Sequence, residues 1–444
     1  MRTPLIVMPL LVLACSEPAR EPLAPLPDVC VGTPARTVDF RTQVQPVIES
    51  KCAGCHRAGG AGPFPLETPE QMKTMAGAMR SSVCRRSMPP WQAHRDCNTY
   101  VGDISLSDEQ ILAIRDWIDS GSDITGAVRN PLPNPAGLSR VDLELKLPEP
   151  YRPMGAPDDY RCFVIDLNNQ TDRFVTGFGM EPDQKALVHH VVLFTVDPGN
   201  VDTYVKADSA FEGPGYPCFG GPMPSTGEGD GAAPGGIPSM IGAWAPGSAA
   251  KDLPAGTGIR LVPGAKVVVQ MHYNVQNFTP GFDQSKVMLK LDDTVEREAF
   301  NVPFLNPSWV LDAAMPIEAG AKDAYHLFRA PADLAIARLT KDALPKGKPF
   351  EVHGGSLHMH TRGTWALFSV EKGAQSSCIN YIPEWDFNWQ GSFFLEKPTR
   401  VEVGDELRME CHWNNEGPTS QKMNWGEGTN DEMCLGFIYV TAVK

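Results

Sequence analysis

Apolar and polar positions along the chain change period near residue 140. Before it, apolar residues recur at helical spacing. Ile111, Ile114 and Ile118 lie three and four apart behind a Ser107–Gln110 capping box, and Gly121 closes the run. A second box, Thr68-Pro69-Glu70-Gln71, carries proline at the first helical position. Met72, Met75 and Met79 follow it on one face and read as packed core. Pro46 marks a helix start ahead of Val47 and Ile48. From about residue 140 the period becomes two, in short turn-bounded runs such as VVLFTV, IRLVPGAKVVVQMHYNV, TWALFSV, RVEVGDELRMECHW and EMCLGFIYV. In KVVVQMHYNV, Val267, Val269, Met271, Tyr273 and Val275 share one strand face, and Gln270, His272 and Asn274 the other. The pattern predicts an all-α domain over 37–125 and a linker over 126–139. About 300 residues of all-β structure follow, enough for two sandwiches over 140–295 and 296–444. The Gly/Pro-rich stretch 212–238 reads as a long surface loop.

Composition changes this picture in three places. At about 150 residues per domain, 444 residues fit roughly three domains. A formal net charge of −14 argues against nucleic acid as a partner and against a polybasic membrane patch. The N-terminus stands apart. Arg2 precedes an apolar run from Leu5 to Ala14 that is too short to span a bilayer, and Val12-Leu13-Ala14-Cys15 resembles a bacterial lipobox. The expectation is a lipoprotein signal peptide over 1–14, acylation of Cys15 and a Pro-rich tether over 15–36. Several acyl chains would anchor the protein stably in the bacterial cell envelope. Ser16 after the cysteine resembles the outer-membrane sorting pattern, facing the periplasm or the cell surface.

Cys52-Ala53-Gly54-Cys55-His56 is a CxxCH motif. Two thiols at this spacing form thioethers with haem vinyl groups, and the next residue sets an imidazole on the iron. With helices on both sides, the motif predicts covalent haem c. The sixth ligand is Met88 or His94. Met88 is preferred because Met88-Pro89-Pro90-Trp91 is a rigid loop that can aim a thioether. CAGCHRAGGAGPF followed by RRSMPPW looks like the small cytochrome c domains attached to bacterial oxidoreductases. Of eleven cysteines, eight remain beyond Cys15, Cys52 and Cys55: Cys30, Cys84, Cys97, Cys162, Cys218, Cys378, Cys411 and Cys434. An even remainder in an oxidising compartment permits disulfides, with the pairing open.

The chain has ten histidines, and they cluster. His189 and His190 are adjacent, His358 and His360 alternate and so point to one side of a strand, and His272 sits mid-strand among polar neighbours. Imidazoles at this density, with a thioether later in the chain, suit copper better than a hard cation. Adjacent histidines oppose each other on a regular strand, so one metal can take both only where the backbone bends or the strand ends.

Five ordered segments resemble one family: LVHHVVLF, IGAWAPGSAAKDLPAGTGIRL, VVVQMHY, LHMHTRG and NDEMCLGFIY. They are similar to the copper type II ascorbate-dependent monooxygenases, which include peptidylglycine α-hydroxylating and dopamine β-monooxygenases. The resemblance implies two jelly-roll sandwiches with one copper each, facing a solvent-filled cleft. It implies an electron-transferring copper on His189, His190 and His272, and an oxygen-binding copper on His358, His360 and Met433, two copper ions per chain. It implies a Cys411–Cys434 disulfide, and O2-dependent hydroxylation of a C–H bond in a small-molecule substrate. The peptide-amidating members carry arginine where Ser356 stands and tyrosine where Phe437 stands, which speaks against a glycine-extended peptide substrate. Family members draw electrons from ascorbate; a tethered haem predicts a second entry port, fed by an external reductant or redox protein. The alternative function is a non-catalytic copper and haem electron-transfer or copper-binding lipoprotein.

Overall fold

The computed structural model describes residues 23, 26–60, 62–132, 137–155, 157–218, 221–223, 238–245, 250–275, 279–426, 428 and 430–444. The signal segment 1–14, Cys15 and the start of the tether lie outside the described residues, as does part of the 212–238 loop.

Four of the described α-helices lie N-terminal, and three more, Val201–Ser209, Pro307–Leu311 and Ala332–Leu339, lie among the strands. Gln45–Lys51, Pro69–Thr74, Ala76–Cys84 and Asp108–Asp119 are α-helical, with a π-turn at Phe40–Val44. Both capping boxes form: Thr68 accepts from the Gln71 amide and Ser107 from the Gln110 amide, and each glutamine reaches back to its cap. Phe40, Ile48, Met72, Met79, Ile114 and Trp117 pack into one apolar core. Residues 30–36, expected within a tether, are fastened to these helices. Cys30 is disulfide-bonded to Cys84, and the buried Arg115 guanidinium donates to the carbonyls of Cys30, Thr33 and Pro34.

The helical pattern expected through 125 breaks over 87–106. There the chain crosses to the β half: Cys97 is bonded to Cys378, Tyr100 bridges Leu395, and the Trp91 ring meets Phe393 edge-on at 5.0 Å. Ala93 and Tyr100 belong to the apolar core of the C-terminal strands.

Most of the regular secondary structure among the described residues is β-sheet. Fourteen strands join in one continuous hydrogen-bonded sheet and four form a second. They enclose two apolar cores, as sandwiches do. In the first, the layer Leu143–Lys146, Lys286–Asp292, Arg173–Glu181 and Thr257–Leu261 faces the layer Ser239–Trp244, Val188–Val196, Lys266–Asn274 and Asp158–Asp166. Leu193, Val269 and Met271 lie buried between them, each contributing roughly 1.5–3 kcal/mol by leaving water. In the second, the layer Arg297–Phe304, Leu435–Ala442, Phe350–His358 and Phe393–Val401 faces Ala324–Pro331, Glu406–Trp413, Gly363–Lys372 and Gln375–Ile382. Phe304, Phe368 and Met409 fill that core. One antiparallel pairing, Asn301 with Met240, joins the two histidine-bearing layers edge to edge.

Candidate copper and haem sites

His189 and His190 open the strand Val188–Val196. Its ladder to Lys266–Asn274 shifts register between Val188 and His190, so that His190 lies directly opposite His272. This bulge supplies the bend the adjacent pair needs. Nδ1 of His190 lies 3.4 Å from Nδ1 of His189 and 3.0 Å from Nδ1 of His272. The outer nitrogen of His272 donates to Asp158 Oδ1 at 2.9 Å, and Tyr160 stacks flat on its ring at 4.1 Å. With the proton kept on Nε2 by that acceptor, His272 turns a lone pair on Nδ1 toward the other two rings. Burial, aided by the neighbouring imidazoles, holds His190 well below its ordinary pKa and pulls His189 down to about 3. These two rings are therefore neutral near pH 7, the form that binds a metal.

His358 ends the strand Phe350–His358, and His360 follows it with ring centroids 5.1 Å apart. Gln390 donates through its amide nitrogen to the Phe387 carbonyl at 2.9 Å, which fixes its oxygen as the acceptor for His358 Nδ1 at 2.6 Å. His360 Nδ1 donates to the Asp431 carbonyl at 3.0 Å. Both rings thereby keep Nε2 for a ligand. Burial lowers His358 and pulls His360 down to about 3. Met433 is buried. The ladder pairs His358 with Leu435, and continuing that register by two residues sets Met433 level with His360. The Glu432 carboxylate accepts from the amides of His360 and Arg362 and from Trp413 Nε1. Burial pushes that carboxyl up to about 7. A disulfide joins Cys434 to Cys411, tying the residue after Met433 to the strand Glu406–Trp413.

The two histidine sets adjoin. The rings of His190 and His358 lie 6.3 Å apart, and Phe387 stacks on His189 at 4.6 Å while standing 6.0 Å from His360. The family resemblance implies a solvent-filled cleft between the sets; in this structure imidazole faces imidazole and Phe387 reaches both. The cause is the edge-to-edge pairing of the two histidine-bearing layers together with the loop that carries Phe387 and Gln390.

In the helical unit, Cys52 and Cys55 are unpaired thiols. Burial raises both, Cys52 up to about 12, so they stand protonated. His56 Nδ1 donates to the Phe64 carbonyl at 2.9 Å, leaving Nε2 for a ligand. A Cβ on Gly62 would meet that Nδ1 at 2.7 Å, so only glycine fits beside the ring. Two free thiols and an imidazole held by its outer nitrogen fit covalent haem. Met88 is half-buried in the crossing stretch. His94 is buried, and its amide donates to the Tyr381 carbonyl, which ties it to the β half.

Asp158, Tyr160, Phe387, Gln390 and Glu432 are residues that sequence reasoning does not find. No motif spacing marks them, because each reaches a histidine from a distant strand or loop. The remaining histidines have structural partners. His412 lies between Asp323 and Glu410 under Trp365, His353 meets Thr441 at 2.9 Å, and His326 donates to the Pro316 carbonyl. The eight remaining cysteines form four bonds: Cys30–Cys84, Cys97–Cys378, Cys162–Cys218 and Cys411–Cys434.

Residues 334–442 match the copper type II ascorbate-dependent monooxygenase C-terminal domain. The chain is 26% identical over 326 residues to DBH-like monooxygenase protein 1 of Gallus gallus, which covers 69% of this chain and 47% of that protein. It is 24% identical over 264 residues to the Homo sapiens protein of the same name, covering 57% and 39%. It is 39% identical over 93 residues to putative DBH-like monooxygenase protein 2 of Homo sapiens, covering 20% and 18%. The chain thus spans less than half the length of these relatives. The segment that carries His358, His360 and Met433 is similar to the C-terminal domain of the copper type II ascorbate-dependent monooxygenases, and these likenesses together support that family for the chain.

Proposed function

We propose that this protein is a copper-dependent monooxygenase that hydroxylates a C–H bond of a small organic substrate with O2, with electrons entering through covalent haem c. The observation that carries the reading is the convergence of three histidine Nδ1 atoms, within 3.4 Å along the chain of contacts, beside a second histidine pair. In this reading His189, His190 and His272 hold one copper ion and His358, His360 and Met433 the other, each set within its own jelly-roll sandwich. Copper bound there would supply the O2 activation and one-electron chemistry of the hydroxylation. The chain's own residues orient and shield. Asp158, Gln390 and the Asp431 carbonyl keep protons on the outer nitrogens, and Phe387 limits water between the sets.

The haem proposal rests on Cys52, Cys55 and His56, with Met88 as sixth ligand. Its support is the donor set and the docking of residues 91–100 on the C-terminal sandwich, through which a haem would stay close to the coppers. An external reductant or redox protein would feed it. Acylation of Cys15 and a place at the outer membrane complete the proposal. The test is metal and haem analysis of the full chain, followed by reoxidation of the pre-reduced haem under O2 with candidate substrates. Two coppers and one haem are expected, with reoxidation lost in His189→Ala. One copper or none would overturn the enzyme reading, and reoxidation indifferent to His189 would overturn the haem port.

A further inference from the structure

The loop 383–392 joins the strands Gln375–Ile382 and Phe393–Val401 and reaches both histidine sets. Trp385 Nε1 donates to the His360 carbonyl at 3.0 Å, Gln390 accepts from His358, and Phe387 stacks on His189 with ring centroids 4.6 Å apart. The stretch that crosses from the helical unit braces this loop at both ends. Before it, the His94 amide donates to the Tyr381 carbonyl, Asn98 Nδ2 donates to the Cys378 carbonyl, and Cys97 is bonded to Cys378. After it, the Val101 amide donates to the Phe394 carbonyl and the Glu396 amide to the Thr99 carbonyl.

A further contact reaches the loop itself. Gln92 follows Met88 in the same crossing stretch, and its Nε2 donates to the Asp386 carbonyl at 3.2 Å. A carbonyl only accepts, so the nitrogen of the Gln92 amide is the atom that faces it. The same carbonyl takes the Trp389 amide at 3.0 Å, and Asp386 Oδ1 takes the Asn388 amide at 2.9 Å, so the turn that presents Phe387 is held from within. From Met88 to His189 there is thus a short run of chain, a hydrogen bond, the peptide unit between Asp386 and Phe387, and a ring contact. Electronic coupling decays slowly along bonds and steeply across gaps, and this route crosses only the hydrogen bond and the ring contact. The neighbouring contact, Trp91 edge-on to Phe393, leads instead to Tyr100 and the apolar core.

We propose that electrons pass from the helical unit to the three-histidine site through Gln92, the Asp386 carbonyl and the Phe387 ring. This rests on the haem and copper reading above and adds the residues that couple the two centres. Each transfer moves one electron: the haem iron goes from ferrous to ferric, a copper ion from cupric to cuprous, and no bond is made or broken.

Anaerobic flash reduction of the haem tests it in the full-length protein loaded with haem and cupric copper, without O2 or substrate. Haem reoxidation is followed by its visible absorption and the cupric signal by freeze-quench EPR. Gln92→Leu should slow the transfer at least tenfold while copper content, cupric EPR spectrum, haem potential and thermal melt stay as in the wild type. Gln92→Lys, which keeps a donor, should retain most of the rate. Phe387→Leu should slow the transfer too, and it keeps the test decisive if Gln92→Leu unfolds. Trp91→Leu, which removes the ring pair and keeps the hydrogen bond, should leave the rate unchanged. An unchanged rate in a folded, fully loaded Gln92→Leu protein would overturn the route. So would equal slowing in Trp91→Leu, or slowing accompanied by a shifted EPR spectrum, because either marks a general effect of docking. A wild type that holds haem and copper but passes no electron between them would overturn the haem port itself, whereas transfer that ignores Gln92 and Phe387 would overturn the route alone.

Discussion

At the scale of single residues, the side chains that orient the histidines matter as much as the histidines. Asp158 holds the proton on His272 Nε2 at 2.9 Å, and removing such a partner commonly costs ten- to a hundredfold in metal affinity. Asp158→Asn should weaken copper at the three-histidine site by about that factor, read by competition with a chromogenic chelator; unchanged affinity would remove the carboxylate from the site. His353 makes a separate prediction. Burial pulls it down to about 4, below the ordinary 6.5 that it regains on unfolding. The folded chain therefore favours the neutral ring, and the unfolded chain takes up the proton first. The stability this ring contributes is complete above pH 6.5 and falls away as pH drops toward 4. Urea unfolding between pH 7 and 4 should show a shallower acid loss in His353→Gln than in the wild type.

At the scale of elements, a single register shift turns an ordinary strand opening into a chelating one. His189 and His190 can share a ligand only because the ladder skips a place there. The element around Met433 depends on a different device, the Cys411–Cys434 bond, which closes a loop of 23 residues. A loop of that length accounts for about 3 kcal/mol in the chain-entropy description. The double variant Cys411→Ser/Cys434→Ser should lose stability of that order in denaturant titration. It should also release copper from the His358–His360 side before the three-histidine side, seen as a fall from two coppers to one. Strand existence and helix caps are legible from sequence because period and capping chemistry act over a few residues, as at Thr68 and Ser107. The bulge is not, since it exists only relative to the partner strand.

At the scale of the whole molecule, the N-terminal unit and the C-terminal sandwich are covalently one. Cys97–Cys378 spans 281 residues, the longest of the four closures, and Trp91, Ala93 and Tyr100 pack with the core at the same place. Loss of this bond in Cys97→Ser/Cys378→Ser should cost up to about 5 kcal/mol and split thermal unfolding into two calorimetric transitions, one for the helices and one for the sandwiches. A single unchanged transition would mean that packing alone joins them. The same docking explains why helical periodicity fails over 87–106. That stretch answers to Phe393, Leu395 and Tyr381, which the helices do not contain.

The sequence by itself determined whatever depends on near neighbours: the change of period near residue 140, the two capping boxes, the donor set of CAGCH, and the identity of the histidine and methionine candidates. Only the tertiary structure decided the pairs Cys30–Cys84, Cys97–Cys378 and Cys162–Cys218, that His190 and His358 stand 6.3 Å apart where a cleft was expected, and that Asp158 and Gln390 hold the rings. The physical reason is distance along the chain. Period, caps and spacing are set by bonds and contacts within a turn or two, whereas a site is made by groups a hundred residues apart, and their meeting depends on sheet edges, bulges and loops that no local pattern records.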